Sequence, residues 1–179
     1  MVDVQAPYRW NLRRLRPGRT LDVGCGLGRN LAHLASDPSA SGVGVDHNGA
    51  CVAECRSRGF EAFTPEEFER SPCAAECGFD TLLFAHVLEH LDEEAGVALV
   101  RRYLPYVRQG GKVVVIVPQS AGQRTDPTHV RLIDRAALAR LASHAGLRVV
   151  SVRSFPFPRP VGRVFRYNED VSVLRVSTR

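Results

Sequence analysis

Short apolar runs alternate with stretches of helical spacing along most of the chain. Thr20-Leu-Asp-Val23, Val43-Gly-Val-Asp46, Phe60-Glu-Ala-Phe63, Phe79-Asp-Thr-Leu-Leu-Phe84, Lys112 to Val117, Leu147 to Val152 and Glu169 to Val176 read as strands. Between them, Asn30 to Ala35, Gly49 to Arg58, Asp92 to Val107 and Asp134 to His144 have the periodicity of helices. Thr64-Pro65-Glu66-Glu67 adds an N-cap, a proline in the first turn and two acids that favour a helix start. Pro17-Gly18, Gly59, Gly110-Gly111, Pro118 and Gly146 punctuate these elements, and Gln119 to Thr128 reads as a polar loop. Such alternation predicts the α/β class, a parallel sheet covered on both faces by helices. No long helix separates the last two strands, so they are expected to pair antiparallel at one edge.

Composition narrows the picture. The 179 residues, 44% hydrophobic and 24% charged, suit one globular domain over 1–179. The longest aliphatic run, Val113 to Val117, is far short of the roughly 20 residues of a membrane span. Met1-Val-Asp-Val-Gln-Ala lacks the features of a signal peptide, so a cytoplasmic location is expected, with the five cysteines as reduced thiols. Zinc at Cys51/Cys55 or Cys73/Cys77 ranks behind thiols that fill a core. The net charge is +5, and every basic residue but Lys112 is arginine. The arginines concentrate in 9–19 and 153–179, where they could face phosphate, but a solvated surface is the preferred reading.

Candidate chemistry starts at Leu21-Asp22-Val23-Gly24-Cys25-Gly26-Leu27-Gly28-Arg29-Asn30, which sets three glycines between a strand and a helix. Glycine there lets the backbone turn sharply and lets a ligand approach without meeting a Cβ. Asp46 ends the next strand, where a carboxylate can accept both hydroxyls of a ribose. Asp22 sits in the first strand just before the loop, where a carboxylate suits a ligand carrying an ammonium group. The loop lacks the lysine of a phosphate-binding P-loop, which argues against triphosphate hydrolysis. A dehydrogenase leaves Asp22 without a role.

These residues, followed by Gly44-Val-Asp46, Phe79-Asp80, His86-Val-Leu-Glu-His90-Leu91 and Leu104 to Ile116, resemble class I S-adenosylmethionine (SAM)-dependent methyltransferases, within the small-molecule methyltransferase-domain group. The resemblance covers roughly 19–150. It implies a doubly wound, seven-stranded, mostly parallel sheet with an antiparallel edge pair, and SAM as cofactor with S-adenosylhomocysteine as product. It also implies that the methionine end of SAM lies over Gly24, Cys25, Gly26 and Gly28, with Asn30 beside it. Asp22 would reach the amine, Asp46 the ribose, and His47 the adenosine. Phe84, Ala85 and His86 would offer backbone carbonyls to the methionine part, and Phe63 would pack on the adenine ring. Many relatives have an acid or amide where this chain has Thr64. The segment 1–18, with Tyr8 and Trp10, corresponds to a short helix that closes over SAM.

His86, Glu89, His90 and His129 are the candidate catalytic groups. The first three share one face of a helical turn, and His129 enters from the loop after the fifth strand. They also resemble the Glu-x-x-Glu-His and distant His of small-RNA 2′-O-methyltransferases, with His86 in place of the first Glu. On that account a divalent metal ranks behind a metal-free histidine base. Phe155 to Pro160 and Phe165 to Tyr167 could line an acceptor pocket or pack the edge strands. The favoured function is methyl transfer to oxygen or nitrogen of a small-molecule acceptor by a monomer or homodimer, without a membrane partner. RNA methylation and a non-catalytic SAM-binding partner subunit rank behind it.

Overall fold

The computed structural model describes residues 5–176. They group into two compact units, 5–82 with 106–108, and 83–105 with 109–176.

The first unit contains helix α1 (Ala6–Arg14), strand β1 (Arg19–Val23), α2 (Arg29–Ala35), β2 (Ser41–Val45), α3 (Gly49–Ser57), β3 (Glu61–Phe63), α4 (Pro65–Arg70) and the first half of β4 (Phe79–Ala85). β1 pairs parallel with β2, Leu21 opposite Val43, and β2 pairs parallel with β3, Val45 opposite Phe63. Four of the five β1 residues are buried, as expected of a strand covered on both faces. Leu21, Leu31, Leu34, Val45, Val52 and Phe68 are essentially inaccessible, and each contributes about 1.5–3 kcal/mol by burial. Thr64 caps α4 as the sequence implies: its hydroxyl accepts from the Glu67 amide while Glu67 accepts from the Thr64 amide. α1 carries the N-terminal aromatics, with the Arg29 guanidinium 6.0 Å above the Tyr8 ring and Trp10 largely exposed.

The second unit contains the rest of β4, α5 (Glu93–Tyr103), most of β5 (Val107–Pro118), α6 (Ser120–Gln123), α7 (Arg135–His144), β6 (Leu147–Phe155) and β7 (Glu169–Val176). Asp92 and Asp134 cap α5 and α7 by accepting from the Ala95 and Ala137 amides. β7 pairs antiparallel with both β5 and β6, so the expected antiparallel pair is present with β6 outermost. Val150 is the extra residue of a bulge in β6, and arginines at 148 and 153 mark that edge strand. The full strand order is β3-β2-β1-β4-β5-β7-β6, a seven-stranded mixed sheet of the α/β class.

Three local expectations change. The helix expected to reach Val107 stops at Tyr103, gives way to a 3-10 turn over Leu104–Tyr106, and β5 begins at Val107. Pro105 has no amide to continue the helical ladder. Gly110 and Gly111 lie inside β5, where a left-handed Gly110 (φ 72°) bends the strand without ending it. The polar loop after Pro118 also contains the short helix α6.

Candidate active site

The glycine loop of the first unit is keyed to the end of β2, because the Gly24 and Cys25 amides both donate to the Val45 carbonyl, at 2.7 and 3.1 Å. Gly26 and Gly28 have left-handed φ angles of 51° and 79°. A Cβ on Gly28 would lie 2.9 Å from Cys55 Sγ, whereas one on Gly26 would meet nothing within 4 Å. The backbone is therefore packed on one side at Gly28 and open at Gly26. The Cys25 side chain joins the buried cluster of Leu31, Val52, Cys55 and Ala62. Burial pushes both the Cys25 and Cys55 thiols up, so these are core groups that stay protonated. At the loop, only the Cys25 backbone can face a ligand.

Asp22 is completely buried and neither of its oxygens has a hydrogen-bond partner. Burial raises its pKa to about 7, against the opposing pull of the Asn30 side chain, which falls short of a hydrogen bond, and of the Arg29 charge. A buried carboxylate without a partner is costly, and a cationic ligand group is the partner that would satisfy it. Asp46 is also buried, but occupied: Oδ2 accepts from the Gly26 amide and Oδ1 from the Asn48 amide, at 2.8 and 2.9 Å. Each oxygen keeps a second lone pair for a ligand hydroxyl. His47 lies 3.6 Å from that carboxylate with its side chain 93% exposed. Phe63 is half-buried against Phe68, and the Thr64 hydroxyl is engaged in its cap.

In the second unit, Phe84 and Ala85 are buried at the end of β4. His86 follows with φ 59°, a strained conformation for a non-glycine residue, pinned where its amide donates to the Ile116 carbonyl. Its ring lies between two carboxylates, with Nδ1 3.2 Å from Glu89 Oε1 and Nε2 2.8 Å from Glu169 Oε1. Although burial opposes the charge, those two carboxylates raise the His86 pKa to about 9. His86 is thus an imidazolium at neutral pH, with both N–H groups committed. Glu89 is completely inaccessible, and its second oxygen has no partner.

His90 and His129 meet edge to face with ring centroids 4.8 Å apart. The Val130 and Arg131 amides both donate to the Glu89 carbonyl, which ties the 128–131 segment to the 88–90 turn. The structure therefore brings together all four histidine and glutamate candidates. Glu169 is the partner of His86 that the sequence did not single out. Its signal was an acid at the buried start of a strand, beside Asn168, Asp170 and Gln119 in one hydrogen-bonded network. Phe165 meets both Phe157 and Tyr167 edge to face, and Phe157 and Tyr167 remain half-exposed.

Residues 5–152 match the family model of a methyltransferase domain. Phosphoethanolamine N-methyltransferase 1 of Arabidopsis thaliana is 27% identical over 106 residues, 56% of this chain and 21% of that protein. The chain thus spans about a fifth of the length of the curated relatives it matches. Among solved structures, a SAM-dependent methyltransferase from Archaeoglobus fulgidus superposes with a TM-score of 0.71 at 20% identity, over 96% of this chain and 94% of that one. An O-methyltransferase of neocarzinostatin biosynthesis, solved with S-adenosylhomocysteine and 1,4-dihydroxy-2-naphthoic acid, gives 0.74 at 22% identity, over 97% and 55%.

Proposed function

This chain belongs to the methyltransferase-domain family, and from that premise we propose that it transfers a methyl group from SAM to oxygen or nitrogen of a small-molecule acceptor. The observation that carries the reading is the unpartnered, fully buried carboxylate of Asp22 at the end of the strand that leads into a glycine loop whose backbone is open at Gly26. Asp22 takes the ammonium of the methionine part, and Asp46 accepts the two ribose hydroxyls through its free lone pairs. Helix α1 of the same unit closes over the cofactor.

When bound, SAM supplies a methyl group on a sulfonium, so the protein's part is alignment and the removal of a proton. His86 cannot take that proton near pH 7, because both its nitrogens already hold one. It acts as a fixed cation that orients Glu89 and Glu169. The proton of an acceptor hydroxyl or ammonium is lost at the Glu89, His90 and His129 cluster. Support for a small acceptor comes from the names of the relatives, one acting on phosphoethanolamine and one solved with a dihydroxynaphthoic acid.

Calorimetric titration of the chain with S-adenosylhomocysteine tests the cofactor half. One saturable site in the micromolar range is expected. The absence of binding up to millimolar ligand would overturn the proposal.

A further inference from the structure

We propose that Glu89, His90 and His129 form a site for one divalent cation of the manganese-to-zinc class. In each ring Nδ1 is hydrogen-bonded and Nε2 is not, His129 Nε2 lying 3.9 Å from Asp126 Oδ2. His90 Nδ1 lies 3.2 Å from the Thr128 carbonyl oxygen and 3.0 Å from Thr128 Oγ1. Thr128 Oγ1 spends its own proton on Asp126 Oδ1 at 2.6 Å, so toward His90 both oxygens accept. His129 Nδ1 lies 3.1 Å from the Gln123 carbonyl oxygen, which again can only accept. Both Nδ1 atoms therefore carry the proton, and in the neutral rings both Nε2 atoms present a lone pair. A ring N–H donated to a backbone carbonyl is the outer-shell arrangement that orients metal-binding histidines.

Glu89 supplies the third donor. It is completely inaccessible, Oε1 is taken up by His86, and Oε2 has no partner. One donor atom from each of Glu89, His90 and His129 lies within 4.8 Å of the others. A shared ion at about 2.1 Å from each needs its ligand atoms roughly 3–3.5 Å apart, a closure of about an ångström by side-chain rotation. Charge favours the same conclusion, since Glu89 and Glu169 face one imidazole and the group stays net negative even when that ring is protonated.

Two imidazole nitrogens and one carboxylate select borderline divalent ions over magnesium or calcium, and three protein ligands leave coordination positions open. Those positions fit an acceptor oxygen, whose proton would pass to solvent as the ion lowers its pKa. This use rests on the methyl-transfer reading; the ion site itself does not.

The test is titration of the metal-stripped full chain with Mn2+, followed by calorimetry and by loss of the free-ion paramagnetic resonance signal. The expected result is one ion per chain with micromolar affinity, weakened at least tenfold in His129→Ala and in Glu89→Gln. Because Glu89 is buried, each variant is first checked for S-adenosylhomocysteine binding and circular dichroism, and His90→Ala replaces any that fails to fold. Co2+ loading should add a visible ligand-field band that these variants lose. No saturable binding of Mn2+, Co2+ or Zn2+ below millimolar, or equal binding by the folded variants, would overturn the site. S-adenosylhomocysteine binding without metal tests the cofactor reading separately.

Discussion

Asp22 makes a prediction that a calorimeter can read as protons. Its carboxyl is raised from 3.8 to about 7 by burial, so at pH 6 about nine-tenths of ligand-free molecules hold a proton there. An α-amino group titrates near 8, so the ligand's ammonium is charged at that pH. If Asp22 meets that ammonium, binding converts it to the carboxylate. S-adenosylhomocysteine titrated at pH 6 in buffers of low and high ionisation enthalpy should then release about 0.9 proton per site. Affinity should rise nearly tenfold from pH 5 to 6 and level off above about pH 7. Asp22→Asn has no proton to lose, so release should fall to near zero, the pH dependence should flatten and affinity should drop about tenfold or more. Tight wild-type binding with no proton released at pH 6, or equal release from the variant, refutes the assignment. The same linkage acts on the ligand-free fold. The unfolded chain ionises Asp22 near 3.8 and the folded chain near 7. This contribution to stability is complete below about pH 4 and is lost as the pH rises through about 7, a change of about 4 kcal/mol. Urea midpoints should fall across that window, and Asp22→Asn should remove the fall.

Asp46→Ala should weaken S-adenosylhomocysteine at least about tenfold by calorimetry, because the ribose loses its acceptor and the Gly26 amide its partner; unchanged affinity removes the ribose assignment. Gly44→Ala would place a Cβ 2.7 Å from Cys25 Sγ and 2.9 Å from Leu31 Cδ1. It should cost about 1–3 kcal/mol in urea unfolding and displace the glycine loop enough to weaken the ligand as well. Thr64→Ala should lose about 1 kcal/mol of stability through its cap; a tenfold loss of ligand affinity beyond that would mark Thr64 as a cofactor contact. His90→Ala and His129→Ala should bind S-adenosylhomocysteine normally while slowing turnover in an acceptor-panel assay, and full turnover in both would return these rings to a structural role.

The parts legible in the sequence are those fixed by local chemistry. Thr20 to Val23, the glycines at 24, 26 and 28 and Asp46 form a strand, a turn and a strand end within 27 residues, and each step has its own backbone signature. The antiparallel edge followed from the missing helix between Leu147 to Val152 and Glu169 to Val176. What local pattern could not supply was direction and distance. Cys25 looks like part of a ligand loop, yet its side chain turns into the core because Gly44 leaves room for it. The 86–90 segment reads as one helical face, but a left-handed His86 breaks that face and a 3-10 turn over Leu88–His90 follows. Its second carboxylate comes from Glu169, 83 residues away, beyond the reach of any spacing rule.

Asp22 and Glu89 expose a common logic in the two units. Each is a completely buried carboxylate with at least one oxygen that the protein leaves without a partner. Leaving a buried polar group unsatisfied costs about 1–3 kcal/mol, more for a charged one. The first unit meets the cost by raising the Asp22 pKa, so that a proton neutralises the carboxylate. Glu89 instead gives one oxygen to His86 and leaves the other without a partner, in a cluster with two rings whose Nδ1 protons are held by backbone carbonyls. A fold selected only for stability would have filled both positions with apolar side chains of similar size, since the surrounding cores are otherwise closely packed. The presence of both acids in these buried positions supports the proposal that binding completes the native ensemble, through an ammonium at Asp22 and a metal ion at Glu89.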